Sequence, residues 1–157
     1  MAMDFAARGV HSVSLRFAPT VHGPGDHGFI AQIVGVARER GVSGYVGDGA
    51  NRWPAVHVVD AAQLVVRALE TAPAGSVVHA VAEEGVPTRQ IAESIGQGIG
   101  VPVISVEPED VGAHFGWIGA FFGLDLPASS EVTRERYGWS PRRPTLLEDL
   151  DAGSYFA

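Results

Sequence analysis

The chain has 157 residues, 46% of them apolar, and a formal net charge of −7, which suits one domain with a core of its own. No basic cluster is larger than the pair Arg142-Arg143, so the composition argues against nucleic-acid or anionic-membrane partners and favours a small molecule or a protein. All eleven basic residues are arginines and cysteine is absent, which excludes lysine-dependent mechanisms, disulfides and thiolate metal sites for this chain.

The longest apolar run, "GWIGAFFGL", is far shorter than a membrane span. No apolar signal-peptide core follows the opening segment "MAMDFAARG". We therefore expect a cytoplasmic protein without a membrane-embedded segment.

The first predicted elements are a strand and an amphipathic helix. Residues 10–17 alternate in polarity and are rich in β-branched side chains, which predicts a strand. Asp26 is a plausible N-cap for the helix that follows, and Gly41 is expected to end it. The apolar positions of this helix form one stripe, which consists of Phe29, Ile30, Ile33, Val34 and Ala37.

The middle of the chain continues this alternation. "SGYVGDG" predicts a short strand with an Asp-Gly turn, and "NRWPAVHVV" predicts an extended segment that leads to Asp60 as a second N-cap. The next helix is expected to stop before Pro73 and to turn four apolar residues inward, namely Leu64, Val65, Ala68 and Leu69. "SVVHAVA" is a continuous apolar strand, typical of a sheet that is covered on both faces.

The remaining elements become shorter and more helical toward the end of the chain. Thr88 is expected to cap a third helix, and "VPVISVEP" predicts a further strand. Beyond residue 108 the pattern predicts irregular helices, one of which closes at Gly138, and a capping box formed by Thr145 and Glu148. Because strands and helices alternate before that point, we predict an α/β fold with a parallel sheet.

Two glycine-rich stretches invite comparison with phosphate-binding turns. Gly23-x-Gly25-x-x-Gly28 lies between a predicted strand and a predicted helix, and Asp48 lies at about the right distance downstream for a ribose contact. Pro19, however, breaks the strand four residues before the first glycine, so turn geometry alone also explains these glycines. Gly41-x-x-Gly44-x-x-Gly47 follows a helix and precedes an extended segment, the reverse of the order that phosphate binding at a helix N-terminus requires.

Four segments match sequence patterns that occur in this order in one family. "VSLRFAPTVHGPGDHG" resembles a strand and loop of the form LRxxxVYGPG, and "GDGANRWPAVHVVDAAQLVVRALE" resembles a block that contains VHVxDxA and ends in ALE. "VVHAVAEEGVPTRQIAESIGQGIG" resembles a strand and helix with T(F/Y)xE(L/I)A, and "RYGWSPRRPTLLEDL" resembles LGWxPxxxLxxGL. From about residue 8 to residue 150 the chain thus resembles the second half of an extended short-chain dehydrogenase/reductase, a family of NAD(P)-dependent sugar-nucleotide epimerases, dehydratases and reductases.

The resemblance implies the C-terminal part of a Rossmann-like doubly wound sheet plus a small, mostly helical substrate-binding region. Residues 8–107 would form the last strands and helices of the NAD(P)-binding domain, and residues 108–157 the C-terminal substrate-binding and lid helices. The loop from Gly23 to Gly28 would lie at the substrate and nicotinamide end. The pyrophosphate turn, the catalytic serine and the Tyr-x-x-x-Lys pair of the family would precede this chain.

This implied division has a chemical consequence. Hydride transfer to a carbonyl needs a proton donor with a lowered pKa, which the family obtains by placing a lysine cation beside a tyrosine hydroxyl. Because the chain has no lysine, we expect no catalytic residue in it and no turnover by this chain alone.

The resemblance also implies where NAD or NADP would touch this chain. Phe17, Ala18, Pro19 and Thr20 match the family segment whose backbone lies against the nicotinamide carboxamide. A proline-bent strand end is the alternative interpretation of each of these four residues.

Five residues are candidates for substrate binding, namely Val21, His22, Arg52, Trp53 and His57. Val21 and His22 match the Val-Tyr pair of VYGPG near the substrate mouth. Arg52 resembles the arginine that pairs with a substrate phosphate in sugar-nucleotide members, with a solvated arginine as the alternative. His57 and Asp60 match HVxD, where we expect Asp60 to cap a helix and His57 to hydrogen-bond a neighbouring loop.

No metal site is expected, because the histidines and aspartates of these segments lack the helical i, i+4 spacing of a ligand motif.

The resemblance as a whole implies the C-terminal substrate-binding portion of an NAD(P)-dependent oxidoreductase or epimerase that works with a separately supplied N-terminal half. Two alternatives stay open. One is a non-catalytic regulator that binds a dinucleotide or a partner, and the other is a remnant that forms a homo-oligomer through an exposed sheet edge.

Overall fold

The computed structural model describes residues 2–156, so residue 157 of the predicted C-terminal region lies outside the described part. Seven strands occur in that part: β1 (Val13–Phe17), β2 (Thr20–His22), β3 (Ser43–Val46), β4 (Arg52–His57), β5 (Ser76–Ala80), β6 (Glu83–Pro87) and β7 (Val103–Val106). The α-helices are α1 (Phe29–Arg40), α2 (Val58–Thr71), α3 (Thr88–Ile99), α4 (Val111–Phe115), α5 (Gly119–Phe122), α6 (Glu131–Tyr137) and α7 (Leu146–Asp151). Three short 3₁₀ segments, Ala2–Arg8, Pro108–Asp110 and Gly116–Ile118, complete the chain.

Parallel pairing dominates the strands and confirms the predicted α/β class. β1 pairs with β5, β2 with β4 and β3 with β7, all in parallel. β6 adds an antiparallel neighbour to β4, with Trp53 opposite Val86. Local sequence patterns do not predict β6, because "EEGVP" contains two charged residues, a glycine and a proline, and its pairing with β4 is a tertiary effect.

The core lies on both sides of β4, which is buried from Trp53 to His57. One apolar cluster contains Trp53 and Ala55 together with residues of α1, α3 and α7. A second cluster contains Val56, the inner face of α2 and the strand β5. Alternate residues of one strand thus enter different clusters, as expected for a central strand covered on both faces.

The first helix ends where the sequence predicts but begins differently. Gly41 adopts a left-handed φ of 68° and ends α1. The N-cap is Gly28, without a side-chain cap, so the prediction of Asp26 as N-cap is wrong. Oδ1 of Asp26 instead accepts a hydrogen bond from the Gly28 amide at 2.5 Å, within a turn that precedes the helix.

The second helix shows two further differences. His57, not Asp60, is the N-cap of α2, and its side chain accepts a hydrogen bond from the Val59 amide. Leu69 was expected inside but is 63% exposed, whereas Leu64 and Ala68 are buried as predicted. Leu69 lies next to the buried Ala68 at the edge of the apolar stripe, so a pattern of apolar positions alone does not assign it to a side of the helix.

Of the three predictions at the ends of other helices, one is wrong and two are confirmed. Pro87 is the N-cap of α3, and the predicted cap Thr88 instead donates its hydroxyl to Oδ1 of Asn51 at 2.6 Å. The capping box of Thr145 and Glu148 is present at the start of α7, and Gly138 ends α6 in a left-handed conformation, as predicted. None of the helices in residues 2–156 is long and apolar enough to cross a membrane.

Two mid-helix glycines give a matched test of the packing. We expect Gly35→Ala in α1 to raise the free energy of unfolding by about 0.5–1 kcal/mol, because no described atom lies within 4 Å of its Cβ position. Gly96→Ala in α3 should lower it by about 1–3 kcal/mol, because the Cβ would lie 2.6 Å from Val103 Cγ2. Urea unfolding measures both values, and a stabilising Gly96→Ala would contradict the described packing of α3 on β7.

Candidate functional site

Two histidines lie side by side where neighbouring parallel strands end. His22 is the last residue of β2, His57 is the last residue of β4, and the two are register partners. Their rings meet edge to face with centroids 5.4 Å apart. The carboxyl ends of parallel strands are where ligands bind in open α/β sheets, so this edge is the candidate functional site.

Two acidic residues complete a buried polar cluster with these histidines. Oδ2 of Asp149, from α7, lies 2.6 Å from Nδ1 of His22 and 3.8 Å from Nε2 of His57. Oε2 of Glu83, from β6, lies 3.9 Å from Nε2 of His22, an atom without a hydrogen-bond partner in the described residues. We call His22, His57, Glu83 and Asp149 the histidine cluster.

Burial shifts the titration of two members of the histidine cluster in opposite directions. Burial raises the pKa of Glu83, although the Leu146 amide that donates to its carboxylate and the nearby His22 oppose this shift. Burial lowers the pKa of His57, although the negative charge of Asp149 opposes it. Because Nδ1 of His57 accepts from the Val59 amide, the neutral ring carries its proton on Nε2, which faces Asp149.

The loop that follows β2 borders the histidine cluster. Gly23 has a φ of +137°, and a Cβ there would lie 2.9 Å from Val58 Cγ1 and 3.1 Å from His57 Nε2, so both conformation and space require glycine. The Gly23 amide donates to the Tyr155 hydroxyl, which in turn donates to Oδ2 of Asp26. A cavity of about 230 Å³ lies beside this loop, between α1 and Tyr155.

The four predicted cofactor-contact residues lie at the junction of β1 and β2. Phe17 is 49% exposed at the end of β1, and Pro19 is half-buried. Ala18 and Thr20 are buried, and the Ala18 amide donates to the Ala80 carbonyl. Phe17 and Pro19 therefore present an apolar surface at the carboxyl end of β1.

The five predicted substrate residues separate into two groups. His22 and His57 meet in the histidine cluster next to Val21, but His22 is only 1% exposed. Arg52 and Trp53 lie at the opposite end of β4, roughly 15 Å along the strand at about 3.3 Å per residue. The structure thus joins three of these residues at one edge of the sheet and leaves two at the other.

Arg52 and Trp53 both have partners within the protein. Arg52 donates Nε and Nη2 to the carboxylate of Asp125, at 3.1 and 2.9 Å, in a half-exposed bidentate pair. Trp53 is fully buried and contacts Phe29 and Phe122. Because the Arg52 guanidinium already donates to the Asp125 carboxylate, a substrate phosphate would have to displace that carboxylate.

Three residues of the site were not identified from the sequence, namely Glu83, Asp149 and Tyr155. Glu83 lies in the strand that was not predicted. Asp149 directly follows Glu148, and the predicted capping box gives a role to Glu148 but none to Asp149. Tyr155 lies in no motif that the sequence singles out. Asp60 has a structural role: its Oδ2 accepts from the amides of Arg142 and Arg143. Within residues 2–156, no group of three or more His, Asp or Glu side chains has a geometry that could hold a metal ion.

Comparison with known proteins assigns the chain to a family. Residues 3–82, about half of the chain, match the NAD dependent epimerase/dehydratase family. The chain belongs to this family. The family assignment confirms the predicted resemblance, and the matched part of this epimerase/dehydratase chain includes β1 to β5, both histidines and the loop after β2.

Two curated relatives of this epimerase/dehydratase chain are uncharacterized yeast proteins. One, from Schizosaccharomyces pombe, is 50% identical over 154 residues, which are 98% of this chain and 52% of the relative. The other, from Saccharomyces cerevisiae, is 41% identical over 152 residues, which are 97% of this chain and 51% of the relative. The chain spans about half the length of the curated relatives that it matches.

Solved structures of epimerases and dehydratases share the fold. A dTDP-glucose 4,6-dehydratase from Streptomyces venezuelae with bound NAD matches 98% of this chain and 46% of its own chain, with a TM-score of 0.73 and 19% identity. A UDP-glucose 4-epimerase from Thermotoga maritima with UDP-glucose matches 98% of this chain and 49% of its own, with a TM-score of 0.69 and 22% identity. These matches confirm the predicted Rossmann-like α/β fold.

The raised pKa of Glu83 predicts a stabilising substitution. Because the carboxylate is disfavoured in the folded state, folding is most favourable while Glu83 is protonated, and this contribution is lost as the pH rises through the folded-state pKa. We therefore expect Glu83→Gln to raise the free energy of unfolding at pH 7, and the gain to vanish below about pH 4, where Glu83 is neutral in both states. Chemical denaturation at several pH values measures the difference, with the exposed neighbour change Glu84→Gln as the control. An equal gain in both variants would contradict the assigned cause.

The two amides on Asp60 predict a second stability effect. Asp60→Ala leaves the amides of Arg142 and Arg143 without their buried acceptor, which should lower the free energy of unfolding by about 2–4 kcal/mol. Asp60→Asn keeps one oxygen as an acceptor and should lose less. Urea unfolding followed by tryptophan fluorescence measures both variants, and a change below about 0.5 kcal/mol in Asp60→Ala would exclude this role.

Proposed function

We propose that this chain is the C-terminal, substrate-side portion of an NAD(P)-dependent oxidoreductase or epimerase that acts on a small-molecule substrate. The observation that carries the proposal is the match of 98% of the chain to a dehydratase and an epimerase of which it covers less than half. The open surface at Phe17 and Pro19, beside the loop after β2, supports a role at the nicotinamide and substrate end. The UDP-glucose bound to the epimerase, and the dTDP-glucose in the name of the dehydratase, make a phosphorylated or glycosylated small molecule the first substrate class to test.

The residues present fit the nicotinamide end of a dinucleotide but do not fit its pyrophosphate. The exposed ring of Phe17 offers an apolar face at a strand end, which suits the nicotinamide of NAD or NADP. Three amides of the loop from Gly23 to Gly28 already have acceptors, because Gly23 bonds Tyr155, Gly28 bonds the Asp26 side chain and Asp26 bonds the Gly23 carbonyl. The carboxylate of Asp26 in that loop would also repel a phosphate.

The proposal assigns separate tasks to two parts of an enzyme. When bound, the cofactor supplies or accepts hydride, and the family's tyrosine and lysine supply the proton from outside this lysine-free chain. This chain contributes the apolar surface at Phe17 and the shape of the loop after β2. It contributes no proton donor in our proposal: His22 and His57 are buried and paired within the histidine cluster.

A chimera tests the proposed function. The half of the Schizosaccharomyces pombe relative that this chain does not match would be joined to this chain, and NADH and NADPH would be titrated by fluorescence. We expect saturable binding by the chimera below about 100 µM and none by this chain alone at about 1 mM. Phe17→Glu in the chimera should weaken binding at least about tenfold by placing a charge against the nicotinamide, whereas Val132→Glu, at a more exposed apolar site on α6, should not.

The outcomes separate the alternatives. A chimera that folds without binding either nucleotide would overturn the proposed function. Binding by this chain alone without turnover would favour the alternative of a non-catalytic dinucleotide-binding regulator. Normal binding by the Phe17→Glu chimera would leave the function standing but remove Phe17 from the cofactor site.

The open edge of β1 favours a partner at that position, either a supplied N-terminal half or a second copy. Among the described strands β1 pairs only with β5, and each of the two strands carries an exposed apolar residue, Phe17 on β1 and Val77 on β5. An unpaired parallel edge with apolar surroundings is a typical site of association. We propose the N-terminal half as the occupant. A dimer of this chain in light scattering that persists in the chimera would favour self-association instead.

A further inference from the structure

The segment from Leu146 to Phe156 crosses the end of the sheet and is bonded to several other parts of the chain. Asp149 bonds His22 at the end of β2, and Asp151 accepts the Ser94 hydroxyl of α3 at 2.6 Å. Tyr155 reaches the loop after β2, and its carbonyl accepts from Arg38 of α1 at 3.4 Å. We call residues 146–156 the strap.

One hydroxyl group of the strap joins both ends of the loop after β2. The Tyr155 hydroxyl accepts from the Gly23 amide at 3.2 Å and donates to Oδ2 of Asp26 at 3.0 Å. The other oxygen of Asp26 accepts from the Gly28 amide. Burial, and the negative charge of Asp26, raise the pKa of Tyr155, so the phenol keeps its proton and remains a donor to Asp26.

The far end of the strap is fixed by close packing against α3. The ring of Phe156 lies directly over Gly98. A Cβ added to Gly98 would clash with three atoms of that ring. Gly98 thus leaves the space that the ring occupies. A turn with Gly153 at a φ of +82°, closed by the bond from the Phe156 amide to the Gly153 carbonyl, connects α7 to these contacts.

We propose that the strap sets the conformation of the loop from Gly23 to Gly28, with Tyr155 as a positioning residue, and that this loop is released when residues 153–156 leave α3. The contacts give the reason: the loop amides at Gly23 and Gly28 are held directly by Tyr155 or through Asp26, and Tyr155 is held by the packing of its neighbour Phe156. That this loop lies at the substrate end of an enzyme rests on the proposed function, whereas the coupling between strap and loop does not.

Amide hydrogen exchange of this chain tests the coupling. Tyr155→Phe removes only the hydroxyl, and we expect the Gly23 and Gly28 amides to exchange about 5- to 10-fold faster, since one hydrogen bond contributes about 1 kcal/mol. Tyr45→Phe is the matched control, because the Tyr45 hydroxyl makes no hydrogen bond within residues 2–156 and the Tyr45 ring lies away from the loop, beside Arg89 of α3. The unfolding midpoint should change little in both variants.

A second variant separates the strap from the single hydrogen bond. Gly98→Ala displaces Phe156 without touching the loop, so faster exchange at Gly23 in this variant would show that the two ends of the strap are coupled. Gly112→Ala in α4, whose Cβ position has no described atom within 4 Å, is its control. Faster exchange in both Tyr155→Phe and Gly98→Ala, confined to residues 23–28, supports the proposal.

Two results would overturn the proposal. The first is a folded Tyr155→Phe variant whose loop amides exchange no faster than those of the unmodified chain. The second is a Gly98→Ala variant in which exchange is uniformly faster across α1 and α3, because that pattern reports global unfolding instead of local release of the loop. The exchange result is independent of the cofactor titration. A chimera that fails to bind NADH or NADPH would remove the proposed function and leave the coupling between strap and loop to be judged by exchange alone.

Discussion

The hydrogen bond between Nδ1 of His22 and Oδ2 of Asp149 joins parts of the chain that are 127 residues apart. It holds α7 against the carboxyl ends of β2 and β4, and both partners are buried. Removal of either partner would leave the other polar group buried without its bond, which costs more than the bond itself contributes. The position of α7, and of everything that follows it, therefore depends on this contact.

Apolar packing and polar pairing act together at this point. Leu146 and Leu150 of α7 are fully buried in the cluster that also contains Ile30, Ile91 and Trp53. Burial of these side chains supplies most of the attraction, but it is not directional. The bonds from His22 to Asp149 and from the Leu146 amide to Glu83 fix the rotation and register of the helix. A short helix of six residues, which would be marginal alone, is thereby set in one orientation.

Local patterns predicted the elements better than the contacts between them. Polarity alternation identified β1, a continuous apolar run identified β5, an apolar stripe identified α1, and glycines marked the ends of α1 and α6, because these signals are contained within a few neighbouring residues. The N-caps at Asp26, Asp60 and Thr88 were wrong, because each of these side chains found a partner that sequence proximity does not determine. The histidine cluster combines residues from β2, β4, β6 and α7, and no spacing rule could have brought Glu83 and Asp149 to His22.

The stretch from Gly23 to Gly28 shows that a glycine pattern alone does not identify a phosphate-binding turn, because the hydrogen bonds of its backbone amides also decide. A pyrophosphate turn works because its backbone amides and the helix behind it have no other partner and face an anion. Here the amides at Gly23 and Gly28 are already bonded, a carboxylate lies inside the turn, and α1 begins without a side-chain cap after that turn. Gly23 instead lets the chain pass within contact distance of His57 and Val58, and Gly25 serves the turn through its φ of +79°. Close packing at the end of a parallel strand thus explains Gly23 and turn geometry explains Gly25, and a phosphate would have to displace both Tyr155 and Asp26 to use the amides at Gly23 and Gly28.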